Sequence, residues 1–207
     1  MKLKVCGLTK LDQIQELISL KTYFLGFIFY EKSPRFVLNH LTFDEIKCIE
    51  HSGKIGVFVN ENVEKIAEIA EKSCLNFVQL HGDENEKYVE ILRNFLKPEI
   101  EIIKAIRIGN DVKSLQLTIY HYPFVDFFLF DTDSAAYGGT GKTFDWQILD
   151  DLEIPKPYFL SGGISLENVD QISNIKNQPF ALDINSKFEI KPGVKDLEKI
   201  KKLYEKL

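Results

Sequence analysis

FLGFIFY, residues 24–30, is apolar at almost every position, and FFLFD, residues 127–131, has four apolar residues in succession. A strand with one face in water alternates apolar and polar residues, whereas a strand of a parallel sheet that is covered on both faces is apolar throughout. The two stretches therefore predict buried parallel strands.

Six further short apolar runs complete a set of eight along the chain: Lys2–Leu8, Ile55–Asn60, Phe77–His81, Glu101–Ile108, Tyr158–Ser161 and Phe180–Ile184. The segments between the runs have apolar residues at helical spacing. Eight strand–helix units predict an α/β fold, a closed (β/α)8 TIM barrel that forms a single compact domain over residues 1–207 with short loops. The alternative is an open flavodoxin-like sheet, which normally uses about five or six strands.

Composition narrows the class of function. The formal net charge of −5 argues against a nucleic-acid partner. No window approaches the roughly 18–20 apolar residues of a membrane span, and the N-terminus lacks a signal peptide, so we expect no membrane partner. Cys6, Cys48 and Cys74 are too far apart for a disulfide framework or a zinc knuckle. We expect a cytoplasmic protein without a metal.

The active site of a (β/α)8 barrel lies at the C-terminal ends of its strands. The residues at the ends of the apolar runs are therefore predicted to line one pocket: Cys6, Arg35, Asn60, Gln79, His81, Arg107, Asp131, Ser161, Gly162, Gly163, Asp183, Asn185 and Ser186. This ring is chemically mixed, because it contains a thiol, carboxylates, cations and glycines.

Two of these residues, Cys6 and Asp131, can donate or accept a proton in a reaction, and each has two possible interpretations. Cys6 is either a small buried hydrophobe, the usual fate of a free cysteine, or a thiolate base whose pKa is lowered by nearby donors or a helix start. Asp131 is either a turn cap, assisted by Thr132 and Asp133, or an acid whose pKa is raised by partial burial.

Other positions suggest anion binding. Ser161-Gly162-Gly163 follows the seventh run, and barrels often bind phosphate through the loops after strands seven and eight. The stretch 183–186 would complete that cradle, whereas the cluster Gly138-Gly139-x-Gly141 is a weak phosphate signal. Arg35 is either a solvated surface arginine or a planar fork that grips a carboxylate.

His81 is expected to be a hydrogen-bonded residue of the rim. A metal site is not expected there, because no second histidine lies near it.

Together, seven segments resemble the phosphoribosylanthranilate isomerase family, in family order from residue 4 to about residue 196: KVCGLT, GFIFYEKSPR, GVFVNE, VQLHGDE, FDT…YGGTGKTFDW, LSGGI and LDINS…PGVKD. The resemblance implies that Cys6 is the general base, that Asp131 is the general acid, and that Arg35 holds the anthranilate carboxylate. It further implies a phosphate site of Gly162, Gly163, Asp183, Asn185 and Ser186. From their place at the end of the fourth run we expect Gln79 and His81 to bind substrate as well.

The implied reaction is an Amadori rearrangement in tryptophan biosynthesis, by acid–base catalysis and without a cofactor. A small phosphosugar, N-(5-phosphoribosyl)anthranilate, becomes 1-(2-carboxyphenylamino)-1-deoxyribulose 5-phosphate. Lys187 stands where the family commonly has glycine, and a side chain there would either crowd the phosphate loop or add a cation beside the phosphate. Another phosphosugar-barrel enzyme, or a non-catalytic module that binds phosphate ligands, is the alternative. The chain is expected to be a monomer or a homodimer.

Overall fold

The computed structural model describes residues 1–108, 112–132 and 144–207. Eight parallel strands, β1–β8, pair in chain order: Lys2–Val5, Phe24–Ile28, Lys54–Phe58, Phe77–Leu80, Glu101–Ile108, Phe127–Thr132, Tyr158–Leu160 and Ala181–Ile184. β1 also pairs with β8, with Lys4 opposite Asp183, so the sheet is closed. The predicted barrel is therefore confirmed, and the open flavodoxin-like sheet was the wrong alternative.

The strands are connected on the outside of the barrel by helices. In the described part of the chain the α-helices, α1–α6, are Leu11–Ser19, Phe43–Lys47, Val63–Lys72, Glu86–Phe95, Val112–Tyr120 and Leu197–Tyr204. Short 3₁₀ helices occupy Val37–Asn39, Trp146–Asp151, Val169–Asn174 and Ser186–Phe188. Among the described residues, none of the helices has the length and apolarity that a bilayer span requires.

An antiparallel hairpin follows the last barrel strand. It consists of β9, Glu189–Lys191, and β10, Val194–Lys195, and it precedes α6. Thr9 Oγ1 from the loop after β1 donates a hydrogen bond to the carbonyl of Gly193, with a donor–acceptor distance of 2.6 Å. The hairpin is thereby held beside the C-terminal end of β1.

The interior of the barrel is filled by alternate residues of each strand. Its lower part contains an aromatic cluster of Phe24, Phe77, Phe127, Phe159 and Phe180, whose neighbouring ring centroids lie 5.1–6.1 Å apart. Along β6, the inward positions are Phe127, Leu129 and Asp131. Below the polar residues at the strand ends, the barrel interior is therefore filled by apolar and aromatic side chains.

We expect Phe159→Ala to lower the free energy of unfolding by about 3–5 kcal/mol, because a fully buried ring would be replaced by a cavity between the rings of Phe24 and Phe127. Ile190→Ala is the control: Ile190 is 73% exposed, so its loss is expected to change stability by less than about 0.5 kcal/mol. Urea denaturation measures both values. Equal destabilisation by the two substitutions would contradict the conclusion that the aromatic cluster stabilises the barrel.

Candidate functional site

A fully buried lysine lies at the centre of the barrel mouth. Lys4 Nζ donates to Asp183 Oδ2 at 2.8 Å and to Gln79 Oε1 at 2.7 Å, so its side chain joins β8 and β4 across the interior. Burial alone would lower the pKa of Lys4. The attraction of Asp183 and Cys6 outweighs burial and raises that pKa, so Lys4 remains an ammonium ion.

The polar network continues from Gln79 to the predicted acid. Gln79 Nε2 lies 2.9 Å from His81 Nδ1, and His81 Nε2 lies 3.3 Å from Asp131 Oδ2. The backbone N–H of Thr132 donates to Asp131 Oδ1 at 2.8 Å. Each oxygen of the Asp131 carboxylate therefore faces one polar neighbour.

The prediction that partial burial raises the pKa of Asp131 is wrong for this structure. Burial does act to raise that pKa, but the hydrogen bonds from His81 and from the Thr132 amide, with the attraction of the Lys4 ammonium, outweigh it, and the pKa is lowered. The carboxyl is thus ionised at neutral pH in the unliganded site.

Cys6 lies one residue beyond β1 and is 5% exposed. Its N–H donates to the carbonyl of Ile184 at 2.9 Å, and a methyl group at Gly26 would come within 3.0 Å of its sulfur. The prediction of a lowered pKa for this thiol is also wrong. Burial raises the pKa and Asp183 adds to the effect, which exceeds the opposing attraction of Lys4 and Lys195.

These contacts place the thiol and the carboxyl at one mouth of the barrel. Cys6 and Asp131 both interact electrostatically with Lys4 and with Asp183. The directions of the two pKa shifts favour a protonated sulfur at Cys6 and an ionised carboxylate at Asp131.

A second network surrounds Arg35. Its Nε and Nη2 donate to both oxygens of Glu189 over 2.7–3.0 Å, and Lys195 Nζ donates to Glu189 Oε1 at 2.7 Å. Lys195 also donates to Asn185 Oδ1 at 2.9 Å. Arg35 is thus a largely buried fork rather than a solvated surface arginine, and the carboxylate that it holds in the structure is that of Glu189.

Gly7 allows this second network to approach the thiol. Its φ is +74°, and a Cβ added there would lie 2.7 Å from Arg35 Cδ and 3.0 Å from Asn185 Oδ1. A side chain at this position would be strained and would displace both residues.

The predicted phosphate cradle has a glycine turn on one side. Gly162 and Gly163 follow β7 with φ values of +87° and +69°, and Ser186 begins the 3₁₀ helix after β8. Asp183 lies within β8 rather than after it, and its carboxylate is buried against Lys4. No hydrogen bond from the described residues reaches Asp183 Oδ1. The cluster Gly138-Gly139-x-Gly141 and Asp133 lie outside the described residues.

Asn60 and Arg107, two further members of the predicted ring, make contacts within the rim. Asn60 Oδ1 accepts from the Asp83 N–H at 2.8 Å, and Arg107 Nη1 lies 3.3 Å from Asp83 Oδ1. Glu84, which sequence reasoning missed, accepts from Lys104 Nζ at 2.8 Å and from the Asn60 N–H at 2.8 Å. These bonds join the loops after β3 and β4 to β5.

Sequence reasoning also missed Lys4, Glu189 and Lys195. The available signal was a lysine at an interior position of an apolar strand, two residues before Cys6. A charge in such a place is rarely buried without a partner. Because its partners lie 75 and 179 residues away in the chain, the signal would have identified Lys4 but not its contacts.

Comparison with known proteins gives consistent matches over the whole length. Residues 3–206 match the family described as N-(5'phosphoribosyl)anthranilate (PRA) isomerase. N-(5'-phosphoribosyl)anthranilate isomerase of Parabacteroides distasonis is 40% identical over 210 residues, which cover 100% of this chain and 93% of that protein.

Two solved structures are similar over nearly the same length. Phosphoribosyl anthranilate isomerase from Thermotoga maritima has a TM-score of 0.81 at 32% identity, and the match covers 99% of this chain and 97% of that one. A phosphoribosyl anthranilate isomerase in complex with reduced 1-(o-carboxyphenylamino)-1-deoxyribulose 5-phosphate has a TM-score of 0.77 at 30% identity, with coverage of 98% and 95%.

We expect Glu189→Gln to lower the free energy of unfolding by about 3 kcal/mol, because the buried cations Arg35 and Lys195 would lose their shared counter-charge. Glu198→Gln is the control: Glu198 pairs with Lys201 in solvent, and its substitution is expected to cost less than about 1 kcal/mol. Chemical denaturation at neutral pH measures both.

The same substitution has a pH signature. Burial acts to raise the pKa of Glu189, but Arg35 and Lys195 outweigh burial and lower it. The stabilisation by the charged form is therefore present above the unfolded value of about 4.3 and is lost as the pH falls through the folded value. The difference in free energy of unfolding between the wild type and Glu189→Gln should therefore decrease at acid pH. A difference that increases there would contradict this assignment.

Proposed function

This chain belongs to the N-(5'-phosphoribosyl)anthranilate isomerase family of tryptophan-biosynthesis enzymes, and we propose that Cys6 is the general base and Asp131 the general acid of its reaction. Membership of the family decides between the alternatives that the sequence left open. The chain is an enzyme and not a non-catalytic phosphate-binding module.

The reaction requires an acid and a base on two sides of a sugar. Asp131 protonates the furanose ring oxygen, the bond from that oxygen to C1 breaks, and an iminium ion forms. The iminium acidifies the C2 hydrogen, which the Cys6 thiolate removes as a proton. The resulting enolamine ketonises to the 1-deoxyribulose product.

In the free enzyme the pKa directions favour a thiol at Cys6 and a carboxylate at Asp131. The reaction uses the opposite charges, a thiolate at Cys6 and a carboxylic acid at Asp131. Burial keeps the proton on Cys6, and the contacts with His81 and Thr132 keep Asp131 ionised. The working state, thiolate with carboxylic acid, contains the same single proton. The enzyme therefore needs to move one proton within the pair but need not take one from solvent, and the attraction of Lys4 for the thiolate reduces the cost of this transfer.

The remaining site residues suit a substrate with two anionic ends. Glu189 occupies the Nε–Nη2 edge of Arg35, which leaves the Nη1–Nη2 edge for the anthranilate carboxylate. Gly162, Gly163, Asn185 and Ser186 supply the phosphate cradle.

Lys187, which stands where the family commonly has glycine, is exposed in the 3₁₀ helix that begins at Ser186.

The main support for the proposal is that Cys6 and Asp131 both interact electrostatically with the buried Lys4 ammonium at the C-terminal face of the barrel. The ligand of a similar isomerase, a reduced carboxyphenylamino-deoxyribulose phosphate, has the carboxylate and the phosphate that these residues would bind. We place the activity in one domain over residues 1–207, in a reducing cytoplasm that suits the three free cysteines.

We expect Cys6→Ser and Asp131→Asn each to lower kcat by about 10²–10⁴-fold, with KM changed only a few-fold, because each removes a proton-transfer group and preserves shape. Cys48→Ser is the matched control, since Cys48 is an exposed free thiol. The assay follows the decay of substrate fluorescence. Turnover near the wild-type rate in either site variant would remove the role assigned to that residue.

A further inference from the structure

We propose that Lys4 and Gln79 are positioning residues that hold His81 in the tautomer with its proton on Nε2. This tautomer orients Asp131, and it prevents the imidazole ring from taking the proton of Asp131. The inference rests on the proposed role of Asp131 as the acid. It assigns functions to two residues that need not touch the substrate.

The first step is the orientation of the Gln79 amide. An ammonium group has only donors, so the atom of Gln79 that lies 2.7 Å from Lys4 Nζ is its oxygen. Lys4 is fully buried and is held at the same time by Asp183 at 2.8 Å, so it cannot turn away. The amide nitrogen of Gln79 is therefore directed towards His81.

The second step is the tautomer of the ring. The Gln79 NH₂ group donates, and the atom that it meets at 2.9 Å is His81 Nδ1. This nitrogen needs a free lone pair, so the proton of the neutral ring lies on Nε2. Protonation of Nδ1 would set one N–H group against another, and it would break the bond to Gln79.

The third step is the effect on Asp131. The Nε2–H group lies 3.3 Å from Asp131 Oδ2, while the Thr132 N–H holds Oδ1 at 2.8 Å, so the carboxyl is held at both oxygens. A ring with a bare Nε2 could accept the proton of Asp131 itself. With Nε2 already protonated, the ring cannot take the proton that Asp131 carries in the working state.

Gln79→Glu tests this arrangement with almost no change of shape. One carboxylate oxygen would still accept from Lys4, but the other would present a lone pair to Nδ1 in place of a donor. His81 would then take a proton on Nδ1. Nitrogen-15 spectra of histidine-labelled protein distinguish a protonated ring nitrogen from a bare one.

The chain contains its own references for this experiment. His51 has the same tautomer away from the site, because the Gly53 N–H donates to its Nδ1 at 2.9 Å and its Nε2 faces the carbonyl of Thr22 at 2.9 Å. Gln116→Glu introduces the same charge change at a half-buried glutamine of α5, whose amide bonds to the backbone carbonyl and N–H of Glu153. Neither the His51 signals nor turnover should change in that variant.

In the wild-type protein we expect a bare Nδ1 and a protonated Nε2 at His81. In Gln79→Glu we expect Nδ1 to be protonated and kcat to fall by about 10–100-fold with KM little changed, the usual effect of losing an orienting partner. A wild-type ring with its proton on Nδ1, or a ring that Gln79→Glu leaves unaltered, would overturn the inference.

The wild-type spectrum decides the tautomer even if the variant does not fold. It is recorded on the free enzyme, so it does not depend on which residue is the acid. Failure of the proposed function would be visible separately, as turnover retained by Asp131→Asn.

Discussion

The burial of the Lys4 ammonium inside the barrel is the constraint on which the rest of the site depends. An unpaired charge in a water-free interior is prohibitively unstable, so Lys4 requires Asp183 on the neighbouring strand β8 and Gln79 on β4. The register of the closed barrel already places Lys4 beside Asp183, and the bond to Gln79 reaches a strand with which β1 is not paired. Through Gln79 the constraint reaches His81 and Asp131, and through its charge it reaches Cys6.

The fold could be predicted from the sequence because eight apolar runs recur at regular intervals, and each becomes a barrel strand. The strand-end rule also placed Cys6 and Asp131 at one end of the barrel, and the structure has both residues at the C-terminal ends of β1 and β6. The charge states could not be predicted in this way. Whether burial or a neighbour dominates depends on contacts between residues far apart in the chain, such as His81 with Asp131 and Lys4 with Cys6.

Glu189 illustrates a second limit of the sequence. It lies in a hairpin after β8, 154 residues from Arg35, and nothing local distinguishes it from an exposed glutamate. Its bidentate bond and the contact with Lys195 keep two cations next to Gly7. A chain with a net charge of −5 thereby holds two cations around a single carboxylate at this point, because the local arrangement and not the total charge sets the local potential.

The central proposal is that, of the two groups, Cys6 carries the proton in the free enzyme and Asp131 is ionised. The pH dependence of kcat/KM tests it most directly, because this ratio reports the protonation of the free enzyme. The account predicts a rate that is constant through neutrality and that falls only above the ordinary thiol value of about 8.5, where the pair loses its single proton. A rate that falls as the pH rises from about 5 to 8 would contradict the account, since it would mean that the resting proton lies on Asp131.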